Sequence, residues 1–203
     1  MLRLLSQITW RLLLLSAQRY SVRGMQVRVT GEVGNSTALL RSLDSAFAMI
    51  EHYDSGQMER VRRHFNFILI TDRSGGEFIG AIDTCRLGRN YVLNAELLSL
   101  CMMLVHECKH AQLAQAGQRY EASLRATIER ECVEAEIGFA KLVPGSAEAI
   151  EKARRLLGSE WWDIEKHRKP MVDELRARGV PKWLAEWSVK RAAKGERGHR
   201  PHA

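Results

Sequence analysis

Two histidines four positions apart, with a glutamate directly after the first, are the residues of this chain best suited to chemistry. They lie in the segment LVHECKHAQL as His106, Glu107 and His110. Positions four apart share one face of an α-helix, so both imidazoles can point at a single ion. Two neutral imidazoles and a carboxylate are common protein ligands of Zn²⁺, and a catalytic zinc site leaves its fourth position to water. The spacing therefore predicts a zinc site that includes His106 and His110.

The glutamate inside this pattern has a separate role. Glu107 follows the first histidine directly, so its carboxylate flanks the water position and does not bind the metal. A carboxylate there can accept a proton from water and later pass it to a leaving amine. Because zinc lowers the pKa of water to near neutrality, a carboxylate is a strong enough base. The H-E-x-x-H pattern therefore predicts hydrolysis with Glu107 as the general base.

A long apolar helix must position these residues. The segment AELLSLCMMLVHECKHAQLAQAG contains no proline and has glycine only at its end, and Asn94 and Gly117 can cap its two ends. It is apolar on almost every side from Leu97 to Val105, as expected of a helix in the centre of a domain. Two histidines and a glutamate are costly in such a helix unless they are paired or bind a metal.

A second predicted helix, LRATIERECVEAEIGFAKLV, supplies carboxylates for the remaining ligand position. Glu129 and Glu136 border its apolar face beside Cys132. Glu131 and Glu134 point away from that face. Both Glu129 and Glu136 are therefore candidates for the third metal ligand.

These residues together resemble the zincin metallopeptidases over residues 75–143. The gluzincin branch is the most similar, because its third ligand is a glutamate on the next helix. The resemblance favours Glu129, whose spacing from His110 is similar, and keeps Glu136 as the alternative. Members of this branch often carry an aspartate four residues after that glutamate, where it orients a metal-binding histidine. The corresponding residue here is Val133, so the sequence does not identify the orienting group.

The resemblance implies a zinc-dependent metallopeptidase that hydrolyses a peptide or protein substrate. Tyr120, in the loop between the two helices, can hydrogen-bond the tetrahedral oxyanion of such a reaction. The segment EFIGAID or the segment NYVLNA can be the edge strand along which an extended peptide pairs. The alternative function is a catalytically inactive zincin-fold binding or interaction module, anchored by the basic ends of the chain.

The elements around the site predict an α+β fold that is mostly helical. We expect a small β-sheet of about three strands packed on the helix of His106 and His110, and a helical C-terminal region. The segments are a basic N-terminal leader or amphipathic segment (1–30), a zincin-like metal-binding core (31–145), a C-terminal helical region (146–193) and a basic tail (194–203).

Composition and cysteine usage narrow the class of protein. The chain of 203 residues is 45% hydrophobic, which is typical of a soluble globular protein. Its net charge of +7 belongs to its ends, and residues 1–30 hold five arginines and no acidic residue. No nucleic-acid motif is present, and membrane contact through residues 1–20 is a minor alternative. The cysteines lack the spacing of secreted disulfide frameworks, so we expect reduced thiols and a cytoplasmic location, with export or peripheral membrane association through the N-terminal segment as the alternative.

Overall fold

The computed structural model of the protein describes residues 14, 16–31, 36–118, 120–121, 123–159, 164–177 and 179–195. These residues form a five-stranded mixed sheet and a larger number of helical residues. The expected α+β, mostly helical class is therefore confirmed, whereas the sheet has five strands where about three were expected. Most of the segment 1–20, for which an amphipathic helix and membrane contact were considered, lies outside the described residues.

The sheet ends in an edge strand that lies next to the site described below. Its strands are β1 (Gln18–Val22), β2 (Met25–Val29), β3 (Phe67–Thr71), β4 (Gly76–Ile79) and β5 (Thr84–Gly88). Their order is β1–β2–β3–β5–β4, with β2, β3 and β5 parallel and the two outer strands antiparallel to their neighbours. Because β1 and β2 fall within residues 1–30, the sheet begins inside the segment assigned to the leader.

The central strand β3 is apolar on both faces. Ile68 and Ile70 belong to the main core with the helices, while Phe67 and Leu69 pack on the opposite face with Leu14. Successive side chains of a strand point to opposite faces, so a strand covered on both sides has no polar positions to alternate with. This covering explains the continuous apolar run FILI.

One helix stands at the centre of the fold. The helices are α1 (Ser36–Tyr53), α2 (Ser55–His64), α3 (Arg89–Asn94), α4 (Leu97–Gln115), α5 (Arg125–Ala140), α6 (Ala147–Ser159), α7 (Ile164–Ala177) and α8 (Lys182–Gly195). Helix α4 packs against α1, α2, α5, β4 and β5, whereas α7 and α8 pack on each other. The central position of α4 accounts for its nearly all-round apolar surface. No described helix is long and apolar enough to cross a membrane.

Two segments predicted as strands have a different structure. NYVLNA is not a strand but lies in helix α3, where Val92 is buried in the main core; β-propensity is easily overridden by such packing. EFIGAID is an edge strand only over its first three residues, which lie in β4, because the chain turns at residues 80–83 before β5. Asp83 in this turn has a φ of 45°, and the reversal pairs β4 antiparallel with β5.

A glycine at the end of β5, Gly88, lets the turn between β3 and β4 pack closely against this strand. A Cβ atom added to Gly88 would lie 2.2 Å from the backbone oxygen of Arg73. The backbone N–H of Gly88 also donates to the oxygen of Gly75 at 2.7 Å. The turn between β3 and β4 therefore lies directly on β5 and sets the start of the edge strand.

We expect Gly88→Ala to lower the free energy of unfolding by about 2 to 3 kcal/mol, because backbone atoms must move to accept the methyl group. The matched control is Gly138→Ala in α5, where nothing lies within 4 Å of an added Cβ. Alanine is the better helix former there, so stability should stay equal or rise by up to about 1 kcal/mol. Denaturant unfolding compares the two variants, and equal stabilities would contradict this packing of the turn.

Candidate metal centre

The structure brings the sequence-predicted site residues together where α4 and α5 face each other. They are His106, Glu107, His110, Tyr120, Glu129 and Glu136. The Nε2 atoms of His106 and His110 lie 3.0 Å apart, as their spacing on one helical face predicts. Two ring nitrogens at this distance need a proton or a cation between them, because each otherwise presents a lone pair to the other.

Glu129 on α5 faces both of these nitrogens. Its Oε2 lies 3.5 Å from His106 Nε2, and its Oε1 lies 3.7 Å from His110 Nε2. In a tetrahedral zinc site with metal–ligand bonds of about 2.0–2.2 Å, neighbouring ligand atoms lie about 3.3–3.5 Å apart. Among the described residues, the buried Oε2 of Glu129 has no hydrogen-bond partner. The three groups therefore fit a zinc ion in both spacing and chemistry.

Glu136, the alternative third ligand, lies on the other side of the His106 ring. Its Oε1 is hydrogen-bonded to His106 Nδ1, whereas Nε2 of the same ring faces His110 and Glu129. A carboxylate on Nδ1 fixes the tautomer and leaves the Nε2 lone pair for a metal. This placement favours Glu129 as the ligand and gives Glu136 the orienting role that the sequence left unidentified at Val133.

The carboxylates determine the electrostatics of the histidine pair. Burial lowers the pKa of His106, but Glu129 and Glu136 outweigh it and raise that pKa well above its ordinary value. Burial would raise the pKa of Glu129, but His106, His110 and Tyr120 hold it far below its ordinary value. The buried pocket therefore strongly favours positive charge between the histidines and Glu129, which a divalent cation can supply.

Glu107 is buried beside the histidines and faces the edge strand β4. The backbone amide of Phe78 in β4 favours the ionised form of its carboxylate and so lowers its pKa slightly, while its Oε2 has no hydrogen-bond partner among the described residues. Burial raises the pKa of Glu107 above its ordinary value, although His106 and His110 partly oppose this. A carboxylate with a raised pKa and an available oxygen is a better proton acceptor at neutral pH.

Tyr120 lies at the site, as its position in the loop between the helices predicted. Its hydroxyl donates to Glu129 Oε1, and its ring centre is 5.5 Å from that of His110. Burial and the charge of Glu129 raise the pKa of Tyr120, so the hydroxyl keeps its proton as a donor. In this structure that donor is directed at a candidate ligand, next to the space where an oxyanion would form.

Lys109, the charged residue within the H-E-x-x-H motif, points away from the histidine pair. Lys109 forms an ion pair with Glu131 of α5 at 3.0 Å. Both side chains line a separate cavity that His106 and His110 do not border. Lys109 therefore adds no positive charge at the histidine pair.

Two cavities meet at the site. The first, of about 300 Å³, is mainly apolar, with walls that include Met102, Met103, Val133 and Leu156. The second, of about 360 Å³, includes Phe78, His110, Tyr120 and Glu129. Both are lined by Gly76, His106 and Glu107. Strand β4 and Glu107 therefore border both cavities.

Strand β4 approaches α4 closely because of a glycine. A Cβ atom added to Gly76 would lie 2.6 Å from Met103 Sδ. The cross-strand ion pair between Glu77 and Arg86, at 2.7 Å, fastens β4 to β5. These contacts fix the edge strand beside the site and thereby set the position of the Phe78 amide.

Cys132 belongs to the site although sequence reasoning did not include it. Its sulfur and one nitrogen of each of His106 and His110 lie within 4.8 Å of one another. Cys132 lies three residues after Glu129 on α5, with a completely buried side chain. The available signal was this spacing, because residues three apart share a helical face. All four cysteines are free and buried, as expected from their sequence context.

No protein-family model matches the chain, and no curated protein or solved structure matches it either. The residues of the site and their geometry are therefore the basis for assigning its chemistry.

Proposed function

We propose that the protein is a zinc-dependent metallopeptidase with a zincin-like core, in which His106, His110 and Glu129 bind the metal. The observation that carries the proposal is the convergence of two Nε2 atoms and a buried carboxylate at separations of 3.0, 3.5 and 3.7 Å. Zinc in such a site supplies Lewis-acid chemistry, which makes water acidic near neutral pH and polarises a carbonyl group.

Glu107 is the general base in this proposal. Its carboxylate is buried at the meeting of α4 and β4, and Oε2 remains to accept a proton from the attacking water. Its raised pKa lets the same carboxyl deliver that proton to the leaving amine. Glu136 acts through His106 by fixing its ring, and so is a positioning residue.

The surroundings of Glu107 favour an extended peptide as the substrate. Strand β4 is an edge of the sheet, so its outer backbone groups can pair with an added strand. A peptide lying along β4 passes over Glu107 and enters both cavities that meet there. Tyr120 borders the second cavity, where its hydroxyl can move from Glu129 to a developing oxyanion.

The proposal is tested by metal content and metal-dependent hydrolysis. We expect the purified protein to contain about one zinc per chain by elemental mass spectrometry. Cleavage of a mixed peptide library should stop after chelation and return when zinc is restored. A chain that takes up no metal when zinc is supplied would refute the proposal. Hydrolysis that is unaffected by complete metal removal would refute its mechanism.

A second candidate function is a metal-binding module without catalysis. The observation that favours it is the nearness of Cys132 to both histidines, because a zinc ion with four protein ligands has no position left for water. This candidate predicts bound zinc and no peptide cleavage, both in the wild type and after Cys132→Ser. Cleavage by either protein would exclude it.

A further inference from the structure

We propose that the thiolate of Cys132 is a fourth ligand of this centre and closes it in the resting protein. The inference rests on the proposed zinc site of His106, His110 and Glu129. It adds that the site is regulated, because the sulfur must leave before water or a peptide carbonyl can occupy the fourth position.

The position of the thiol supports coordination. With a Zn–S bond of about 2.3 Å and Zn–N bonds of about 2.0–2.1 Å, sulfur and nitrogen ligands of one tetrahedral ion lie about 3.5 Å apart. Cys132 and the two histidine nitrogens already lie within 4.8 Å of one another, so the sulfur needs to come closer by no more than about 1.3 Å to reach the ligand spacing. A side-chain rotation or a small movement of α5 against α4 is sufficient for such a shift.

The helix places Cys132 and Glu129 as a pair. They are three residues apart on α5, so both side chains approach the histidines from the same direction. On its other side Cys132 packs with Leu113 and Ile128. The sulfur therefore lies between an apolar wall and the histidine pair.

Two of the other three cysteines, Cys101 and Cys108, have polar partners of their own. Cys101 donates to the backbone oxygen of Ala46 at 3.4 Å, and Cys108 accepts from the side chain of Gln112 at 3.5 Å. Among the described residues, the group able to hold a metal includes Cys132 and neither Cys101 nor Cys108. These two buried thiols are therefore suitable controls for sulfur coordination.

Coordination by Cys132 changes the resting state of the site. The thiol proton is released to solvent when the sulfur binds the ion, as for other thiolate ligands. With two nitrogens, one carboxylate and one thiolate, the tetrahedral site is full. Displacement of the sulfur would break only the metal–sulfur bond, with the thiolate regaining a proton from solvent, and would leave the open position that hydrolysis requires.

The test replaces the metal with Co²⁺ in the full-length protein and records its absorption spectrum. Visible ligand-field bands report cobalt binding, and a near-ultraviolet band reports sulfur-to-cobalt charge transfer. We expect both in the wild type and in Cys101→Ser, and loss of only the charge-transfer band in Cys132→Ser. Peptide hydrolysis by the zinc form should rise about tenfold or more in Cys132→Ser, because its fourth position is open.

Each cobalt spectrum that differs from these expectations leads to a different conclusion. Ligand-field bands without charge transfer in the wild type would overturn the role of Cys132 and leave the proposed peptidase intact. The absence of ligand-field bands after cobalt is supplied would overturn the metal site itself. Loss of charge transfer in Cys101→Ser would assign the sulfur to another residue and also overturn the inference. If Cys132→Ser fails to fold, the wild-type spectrum still shows whether a sulfur binds the metal, and charge transfer retained in serine variants of each of the other three cysteines identifies it as Cys132.

Discussion

Glu107→Gln is expected to keep bound zinc while peptide hydrolysis falls by about 10²- to 10⁴-fold, the usual contribution of a general base. Glutamine keeps the size of the side chain and one of its acceptor oxygens. It cannot take a proton from water at neutral pH. Zinc content and kcat, measured on the same preparation, test both halves of the expectation.

The matched control for this variant is Glu134→Gln, which makes the same chemical change on an exposed position of α5. We expect it to leave zinc content and kcat unchanged. Retained hydrolysis in Glu107→Gln with zinc in place would remove Glu107 from the mechanism. Loss of zinc together with activity would instead assign Glu107 a part in binding the metal.

The convergence of His106 and His110 was predictable because it is a local property of one helix. Their spacing alone brings them to one face, whatever the rest of the fold does. Glu129 could be predicted as a candidate ligand for a related reason. The apolar residues of α5 mark the face that packs against α4, and Glu129 borders that face. The pattern of apolar residues along the sequence also predicted the central helix α4 and its burial.

The roles of Glu136 and Cys132 were not predictable from periodicity. Both border the same face of α5 as Glu129, and the sequence cannot say how far α5 is displaced along α4. That displacement places Glu136 at Nδ1 of His106 and Cys132 near both histidines. It depends on packing between helices, which a single sequence does not state.

The number of strands in the sheet was predicted too low for a similar reason. Strands β1 and β2 have the weak alternation of a hairpin, and they join the sheet only through pairing with each other and with β3. NYVLNA contains residues that favour strands, yet the segment is helical and packs Val92 into the main core. Strand propensity mainly reflects the surface against which a residue packs, so it fails where that surface is unknown.

Glu129→Gln is expected to weaken zinc binding by about 10²- to 10³-fold. Binding of zinc by a four-ligand protein site is worth about 10–16 kcal/mol, or about 2.5–4 kcal/mol per ligand, and each 1.4 kcal/mol is tenfold. The amide removes the negative charge that faces both Nε2 atoms. Competition with a chromophoric chelator measures the change in affinity.

Glu136→Gln makes the same chemical change at a residue that contacts a proposed metal ligand, His106, and not the metal itself. Since Glu136 contacts only the Nδ1 side of His106, we expect a smaller loss of affinity, about 10- to 100-fold. The order of the two effects distinguishes a ligand from an orienting group. If Glu136→Gln weakened zinc binding more than Glu129→Gln, the two assignments would have to be exchanged, because the residue that holds the ion directly must lose more when its charge is removed.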